Sequence, residues 1–258
     1  MKTLSVVMPV FNEENTVGLV IERVLTEIPH DLELIVVNDG STDGTAQILD
    51  TLAVKDRRLQ VLHQPNGGKA SALKRGFEMS RGNVVIIQDA DLEYDPAEID
   101  HIIQPILQGK ADVVYGSRFL VRRAARVLYF YHYLANSFLT FLSNMLTNLN
   151  MTDIETGYKA FRGDIIRNMI IESKGFGIEV EITAKVAKLN AVIYEVPISY
   201  YGRTYQEGKK IQFNDGLVAL WYVLRFNIFR GLNRSFRSIP QPHALQTHSF
   251  SKRSADSF

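Results

Sequence analysis

The chain has 258 residues, of which 46% are hydrophobic, 10% aromatic and 22% charged, and this composition excludes the disordered and fibrous classes for most of its length. Its formal net charge of +1 provides no global field that favours nucleic acid, so we expect no nucleic-acid partner. Because cysteine is absent, disulfides, thiolate metal sites and a cysteine nucleophile are excluded, which fits a reducing compartment such as the cytoplasm.

The first 115 residues alternate between short apolar segments and segments of helical periodicity. Strands are predicted at 4–10, 32–37, 59–63, 83–88 and 111–115, and helices at 16–27, 45–54, 69–80 and 97–107. This alternation predicts parallel βαβ units and a sheet covered by helices on both faces. In such sheets, ligands bind beyond the carboxyl ends of the strands.

The segment 36–45 leaves a predicted strand, turns on two glycines and starts a predicted helix. This order places Asp39 where its carboxylate can accept hydrogen bonds from a base or a ribose. A turn followed by a helix that Asp43 caps would explain the same residues, and both interpretations stay open. Residues 66–71 lack the spacing of a Walker phosphate loop, although Lys69 would still face a ligand from the start of its helix.

The run Asp89-Ala90-Asp91 directly follows the apolar segment 84–88. Two carboxylates one residue apart, at the carboxyl end of a buried strand, point to a common rim where a hard cation can bridge them to a phosphorylated ligand. The alternative is a strand-ending turn with solvated acids. The pair therefore predicts a site for a nucleotide diphosphate only in combination with other residues.

Cationic side chains are predicted on the same rim. Arg118 follows the strand 111–115 through Gly116 and Ser117, and Arg203 and Lys209 belong to a loop that contains two glycines. Each of these residues alone would be a typical surface charge. Together with the acidic pair they describe a diphosphate site, in which a cation neutralises oxygens on one side and arginine or lysine on the other.

Two segments, 119–150 and 209–230, combine basic residues with aromatic-rich helical patterns. Amphipathic helices at a membrane surface would show this pattern, and a core or dimer helix is the alternative. No stretch of 18 or more apolar residues occurs, so we expect peripheral attachment to a membrane and no spanning helix. Residues 232–258 have little apolar content and are predicted to form a disordered tail.

Six motifs resemble, in their order and spacing, those of family 2 glycosyltransferases, most closely the polyprenyl-phosphate glycosyltransferases of the dolichyl-phosphate mannosyltransferase type. The motifs lie at residues 8–13 (MPVFNE), 38–45 (NDGSTDGT), 89–91 (DAD), 116–118 (GSR), 153–159 (DIETGYK) and 201–209 (YGRTYQEGK). The resemblance spans about residues 4–230. It implies a single α/β domain of the GT-A fold over residues 1–231, with a mostly parallel central sheet flanked by helices.

The resemblance also implies roles for individual residues. In such enzymes the nucleoside is held by residues that match Pro9, Phe11, Glu13, Val37 and Asp39. Ribose, diphosphate and a divalent cation, Mg²⁺ or Mn²⁺, are reached by those that match Asp89, Ala90 and Asp91. The diphosphate or the acceptor phosphate is bound by those that match Arg118, Arg203 and Lys209.

The sequence departs from the family pattern at three positions. Family members often have a tyrosine where this chain has Phe11, and an acidic residue where it has Asn38, so base or ribose contacts would differ. A glutamine is common where Glu93 stands. If Glu93 joins Asp89 and Asp91 as a metal ligand, it adds negative charge to the metal site.

The expected reaction is inverting transfer of a hexose from a UDP- or GDP-sugar to a polyprenyl phosphate, with Asp91, Arg118 and Arg203 as the catalytic residues. A phosphate acceptor is already anionic and needs no strong base. Transfer to a sugar hydroxyl is the alternative and does need one, for which Glu179, Glu181 or Asp153 would be candidates, although acids at a helix start explain the two glutamates as well. A non-catalytic nucleotide-binding module at a membrane is disfavoured because both aspartates of the pair are present. The expected location is the cytoplasmic face of a membrane.

Overall fold

The computed structural model describes residues 4–120, 127, 129–175, 177–202 and 213–243. The strands are β1 (Leu4–Val10), β2 (Leu32–Asp39), β3 (Leu59–Gln64), β4 (Val84–Ile87), β5 (Val113–Ser117), β6 (Lys159–Arg162) and β7 (Ile193–Pro197). The helices are α1 (Val17–Glu27), α2 (Thr45–Lys55), α3 (Lys69–Met79), α4 (Ile99–Leu107), α5 (Phe130–Thr147), α6 (Gly163–Asn168), α7 (Gly177–Lys188) and α8 (Phe213–Ile228). Short 3₁₀ turns lie at Pro96–Glu98 and Leu232–Arg234. The nine elements predicted for the first 115 residues are confirmed, with bounds that differ by at most two residues.

The strands form one seven-stranded sheet in the order β3-β2-β1-β4-β6-β5-β7. All pairings are parallel except those of β6, which runs antiparallel to both β4 and β5. The predicted α/β class with a mostly parallel sheet is therefore confirmed. β6 separates β4 from β5 in the sheet, and the sequence pattern did not predict it.

Alternate side chains along the central strands pack into two hydrophobic cores, one on each face of the sheet. Val6 and Met8 of β1 pack with α1, α2 and α4 on one face, whereas Val7 packs with α3 and the helices α5 to α8 on the other. β2 and β4 are buried along their whole length, as expected for strands covered on both faces. This rigid centre brings the carboxyl ends of β1, β2, β4 and β5 to one rim of the sheet.

The segment after α8 packs against the domain, so the predicted disordered tail is wrong for residues 232–243. Phe236 is buried and pairs with Met169 in an antiparallel bridge. The backbone nitrogen of His243 donates to the carboxylate of Asp112, which is also buried. Remote backbone and side-chain partners thus hold a segment that has few apolar residues of its own. Residues 244–258 lie outside the described residues.

The two predicted amphipathic segments contain α5 and α8, which pack against each other and against α7. Their inner residues belong to the core, but large apolar side chains on their outer sides are exposed. We call this exposed set, Phe130, Tyr131, Phe138, Phe141 and Trp221, the α5–α8 surface. None of the described helices is both long enough and apolar enough to cross a bilayer. Much of residues 119–129, including the basic start of the first segment, lies outside the described residues.

Candidate active site

The loop after β4 carries the acidic pair. Gln88 is buried, and its side-chain amide donates to the backbone oxygens of Asp89 and Tyr94, which fixes both ends of the loop. Asp91 accepts a hydrogen bond from the backbone nitrogen of Glu93 at 3.1 Å. Leu92, between them, has φ of 62°, a left-handed conformation that is strained for a bulky residue and that tends to occur at functional sites.

A chain of ion pairs connects Asp89 to the interior. Lys69, at the start of α3, places its Nζ 3.0 Å from Asp89 Oδ2 and 3.4 Å from Glu179 Oε1. Glu179 Oε2 in turn accepts from the fully buried Lys159 at 2.5 Å. Burial alone would lower the pKa of Lys69, but the charges of Asp89 and Glu179 outweigh it and raise that pKa. Lys69 therefore lies beside Asp89 at the start of its helix, and its predicted contact with a ligand stays a prediction.

Arg118 is held on the same rim by Asp153. Its Nε and one Nη donate to the two carboxylate oxygens at 2.7 Å each, in a bidentate pair, and Asn136 of α5 donates to the same carboxylate at 3.2 Å. Asp153 is fixed in turn, because Glu195 of β7 accepts from its backbone nitrogen. Burial disfavours the charged guanidinium, but Asp153 outweighs this effect and raises the pKa of Arg118 well above its usual value. The guanidinium also lies over the ring of Tyr200.

Asp39, at the end of β2, forms hydrogen bonds with the loop that precedes α3. Its Oδ1 accepts from Gln64 Nε2 at 2.6 Å and from the backbone nitrogen of Gly67 at 3.0 Å, and its Oδ2 accepts from the nitrogen of Gly68 at 2.7 Å. The carboxylate thus shapes the turn that starts α3 and positions Lys69. Asp43 accepts from the nitrogen of Thr45, but Gly44 is at the N-cap of α2 and no side chain caps that helix, so the predicted cap is wrong.

The other residues predicted to hold the nucleoside differ in exposure. Pro9 and Val37 are register partners on β1 and β2, so both lie at the rim, but the side chains of Val37 and Ala90 are buried and only their backbone could reach a ligand. Phe11 is 37% exposed, beyond the end of β1. Glu13 accepts from the hydroxyl of Thr16 and begins the turn into α1.

Glu93 forms hydrogen bonds with residues 200 and 201. Its carboxylate accepts from the hydroxyl of Tyr200 at 2.8 Å, and its backbone oxygen accepts from the nitrogen of Tyr201. Across the described residues, no group of three or more His, Asp or Glu side chains is arranged to hold a metal ion. A third protein ligand from Glu93 therefore stays a prediction. Arg203 and Lys209 lie outside the described residues.

The family model described as glycosyl transferase family 2 matches residues 5–170. The chain belongs to this family. An undecaprenyl-phosphate mannosyltransferase of Micrococcus luteus is 32% identical over 216 residues, which cover 81% of this chain and 87% of that protein. A polyprenol monophosphomannose synthase of Mycolicibacterium smegmatis is 29% identical over 242 residues, which cover 89% and 91%.

Solved structures support the fold of this family 2 glycosyltransferase. Glucosyl-3-phosphoglycerate synthase from Mycobacterium tuberculosis in complex with UDP superposes with a TM-score of 0.67 at 21% identity, over 87% of this chain and 80% of that one. The same enzyme, crystallised with Mn²⁺, UDP and phosphoglyceric acid, gives a TM-score of 0.66 over 88% and 79%. The predicted family and fold are confirmed, and the chain is a glycosyltransferase.

One residue of the glycosyltransferase site was missed in the sequence. Glu155 lies between Asp153 and Gly157, and its Oε1 is buried without a hydrogen-bond partner among the described residues. Burial and the nearby charge of Glu179 raise its pKa to about 7. Its place inside the matched motif 153–159 was the available signal. An acid in a loop usually faces solvent, so the sequence alone does not predict that the Glu155 oxygen is buried.

Proposed function

We propose that this glycosyltransferase moves a hexose, with inversion, from a nucleoside diphosphate sugar to a polyprenyl phosphate. The observation that carries the proposal is the position of Arg118. Asp153 fixes its guanidinium on the rim that holds the acidic pair, and Asn136 connects it to α5, whose outer side is apolar and exposed. The positively charged Arg118 would thus lie between a diphosphate site and an apolar surface. This position suits an acceptor that has a phosphate head and a lipid tail. The names of the two relatives support this acceptor.

The donor side of the site is assigned to Asp89, Asp91 and Lys69. Two carboxylates are a suitable set for Mg²⁺ or Mn²⁺, since such ions often bind one or two carboxylates together with substrate phosphates. The bound cation would neutralise charge on the departing diphosphate. Lys69 would add a fixed positive charge next to it from the helix start. A structural neighbour, glucosyl-3-phosphoglycerate synthase, has been crystallised with Mn²⁺ and UDP, which supports this assignment.

The acceptor side is assigned to Arg118, with Arg203 and Lys209 from the adjacent loop. Arg118 would orient a phosphate oxygen for in-line attack on the anomeric carbon. The alternative acceptor, a hydroxyl, needs a base. Each carboxylate predicted as a candidate base is ion-paired with a lysine or arginine side chain. Glu179 pairs with Lys69 and Lys159, Glu181 with Lys185, and Asp153 with Arg118. An acceptor that is already anionic avoids this need.

We further propose that the α5–α8 surface rests on the cytoplasmic face of a membrane. Aromatic side chains on an outer helix face are suited to headgroup depth, and Arg118 is linked to α5 through Asn136. A lipid-linked acceptor phosphate would then reach the site without leaving the membrane surface.

The test is a panel of UDP- and GDP-hexoses incubated with the protein and Mg²⁺ or Mn²⁺, with and without polyprenyl phosphate, with products identified by mass. We expect a lipid-dependent glycosyl phosphate, and we expect Asp91→Asn to abolish metal-dependent transfer. Asp164→Asn, which changes a half-exposed carboxylate at the far end of the sheet, serves as the matched control. Full activity of Asp91→Asn, or transfer only to hydroxyl acceptors, would contradict the proposal.

A further inference from the structure

Four charged side chains near Glu155 form two ion pairs, whereas Glu155 itself forms no ion pair among the described residues. The charges that act on it come from Arg118, Lys159, Asp153 and Glu179. Arg118 pairs with Asp153, and Lys159 pairs with Glu179. Glu155 adds one further negative charge to this balanced set, and its Oε1 accepts no hydrogen bond from the described part of the chain.

A buried carboxylate oxygen without a partner is costly for the folded protein. Such a group loses its hydration and gains nothing in return, so it destabilises the state in which it is buried. Native proteins keep few such atoms, and each one that persists calls for an explanation, such as a functional role or a bound water or ion. The raised pKa of Glu155, about 7, is the electrostatic expression of the same cost.

Glu155 lies close in the chain to a glycine that packs against Asp89. Gly157, two residues further on, packs so closely that a Cβ there would lie 2.5 Å from Asp89 Oδ2 and 3.3 Å from Lys69 Nζ. Gly157 therefore lies against Asp89 of the acidic pair assigned to the donor diphosphate, and Glu155 is two residues before it in the chain. Because the hexose is attached to that diphosphate, it has to lie within a few ångströms of these residues.

We propose that Glu155 accepts a hydrogen bond from a hydroxyl group of the hexose in the bound donor, and so helps to determine which sugar is transferred. This assignment rests on the proposed function. A phosphate is the wrong partner for Glu155, because two anions repel and the nearby cations already serve phosphate. A neutral hydroxyl donor satisfies the carboxylate oxygen without adding charge, and a charged acceptor makes that hydrogen bond strong.

The assignment predicts opposite effects on binding and on stability. Removing a carboxylate with a structural role would weaken the fold. Removing a carboxylate that is satisfied only by a ligand eliminates an unsatisfied buried group, so the folded protein keeps or gains stability. We therefore expect Glu155→Gln and Glu155→Leu to unfold at the same temperature as the unsubstituted protein or a higher one, at mildly alkaline pH and without ligand. Both variants should bind the donor less tightly.

The experiment is calorimetric binding in the presence of Mn²⁺ and without any acceptor. The probes are UDP, GDP, UDP-glucose, GDP-mannose and the monodeoxy analogues of both sugars. We expect one deoxy analogue to bind the unsubstituted protein about 10- to 100-fold more weakly than its parent sugar, the usual range for a hydrogen bond to a charged group. In Glu155→Leu, the same two ligands should bind with equal affinity. Asp164→Asn should retain the full difference.

Several results would overturn the assignment. Equal losses for the deoxy analogue in the unsubstituted protein and in Glu155→Leu would show that the hydroxyl is bound elsewhere. The assignment would also be overturned if UDP-glucose and GDP-mannose bound no more tightly than UDP and GDP. Lower unfolding temperatures in both variants would indicate a structural role. Unchanged donor binding with lost transfer would make Glu155 a proton acceptor. Failure to transfer to polyprenyl phosphate would reject only the proposed acceptor, because this binding assay contains none.

Discussion

The pair formed by Arg118 and Asp153 allows a quantitative prediction for Asp153→Asn. The Asp153 side chain is fully buried and that of Arg118 is 14% exposed, with both hydrogen bonds at 2.7 Å. Asparagine keeps the shape of aspartate but removes its charge and one acceptor. The guanidinium would then be buried without its paired carboxylate, and breaking a buried pair in this way costs about 3–5 kcal/mol.

The amide oxygen of asparagine can still accept one hydrogen bond, so we expect the lower end of this range, about 3 kcal/mol. For a chain of this size, that corresponds to a decrease of roughly 6–12 °C in the unfolding temperature. The guanidinium should also lose its fixed orientation. Because a displacement of about 1 Å can cost about 100-fold in rate, the KM for the acceptor should rise and kcat should fall.

The assays are thermal unfolding without ligands and steady-state kinetics with the acceptor varied. Asp164→Asn is the control because it removes a carboxylate from a more exposed pair with Arg162, where the side chain of Asp164 is 47% exposed. An exposed pair contributes about 1 kcal/mol or less, so its unfolding temperature should fall by at most about 4 °C. Equal decreases for the two variants, or unchanged kinetics in Asp153→Asn, would refute the reasoning.

Three further predictions concern other parts of the chain. Because burial raises the pKa of Glu155 from 4.5 to about 7, the folded protein binds a proton that the unfolded chain releases, and the free energy of unfolding should fall as pH rises through this window. Glu155→Gln should remove that slope in a pH series of denaturant titrations. Phe236→Ala, which opens a cavity in the segment predicted to be disordered, should cost about 3–5 kcal/mol in the same titrations and leave transfer kinetics unchanged. Phe141→Glu and Trp221→Glu should each weaken binding to vesicles that contain polyprenyl phosphate by about tenfold or more, whereas Val54→Glu on exposed α2 should not.

The fold of the first 115 residues could be predicted because each element carries its own local pattern. The strands are short and apolar, three of the four helices begin after glycine or threonine, and parallel pairing follows from their alternation. β6 could not be predicted in this way. It is four residues long, and its antiparallel place between β4 and β5 depends on partners that lie far away in the sequence.

The candidate site was predictable in its residue types and not in its pairings. Asp89, Asp91 and Arg118 were placed on one rim because they follow strands of one parallel sheet. That Asp153 holds Arg118, or that Tyr200 donates to Glu93, depends on distances across the fold that no local pattern contains. Residues 232–243 were wrongly assigned to a disordered tail for the same reason, since Asp112 and Met169 hold them from a distance.

Lys69 has a consequence for the order in which ligands assemble. Its ammonium lies 3.0 Å from Asp89 Oδ2 and neutralises that carboxylate, so the site contains its own counterion. A divalent cation that binds Asp89 must compete with Lys69, and an ammonium released in this way becomes available to the diphosphate. Each ligand would thereby improve the affinity for the other by the same factor, as linkage requires. Nucleotide and metal are then expected to enter this site cooperatively, with little occupancy by either one alone.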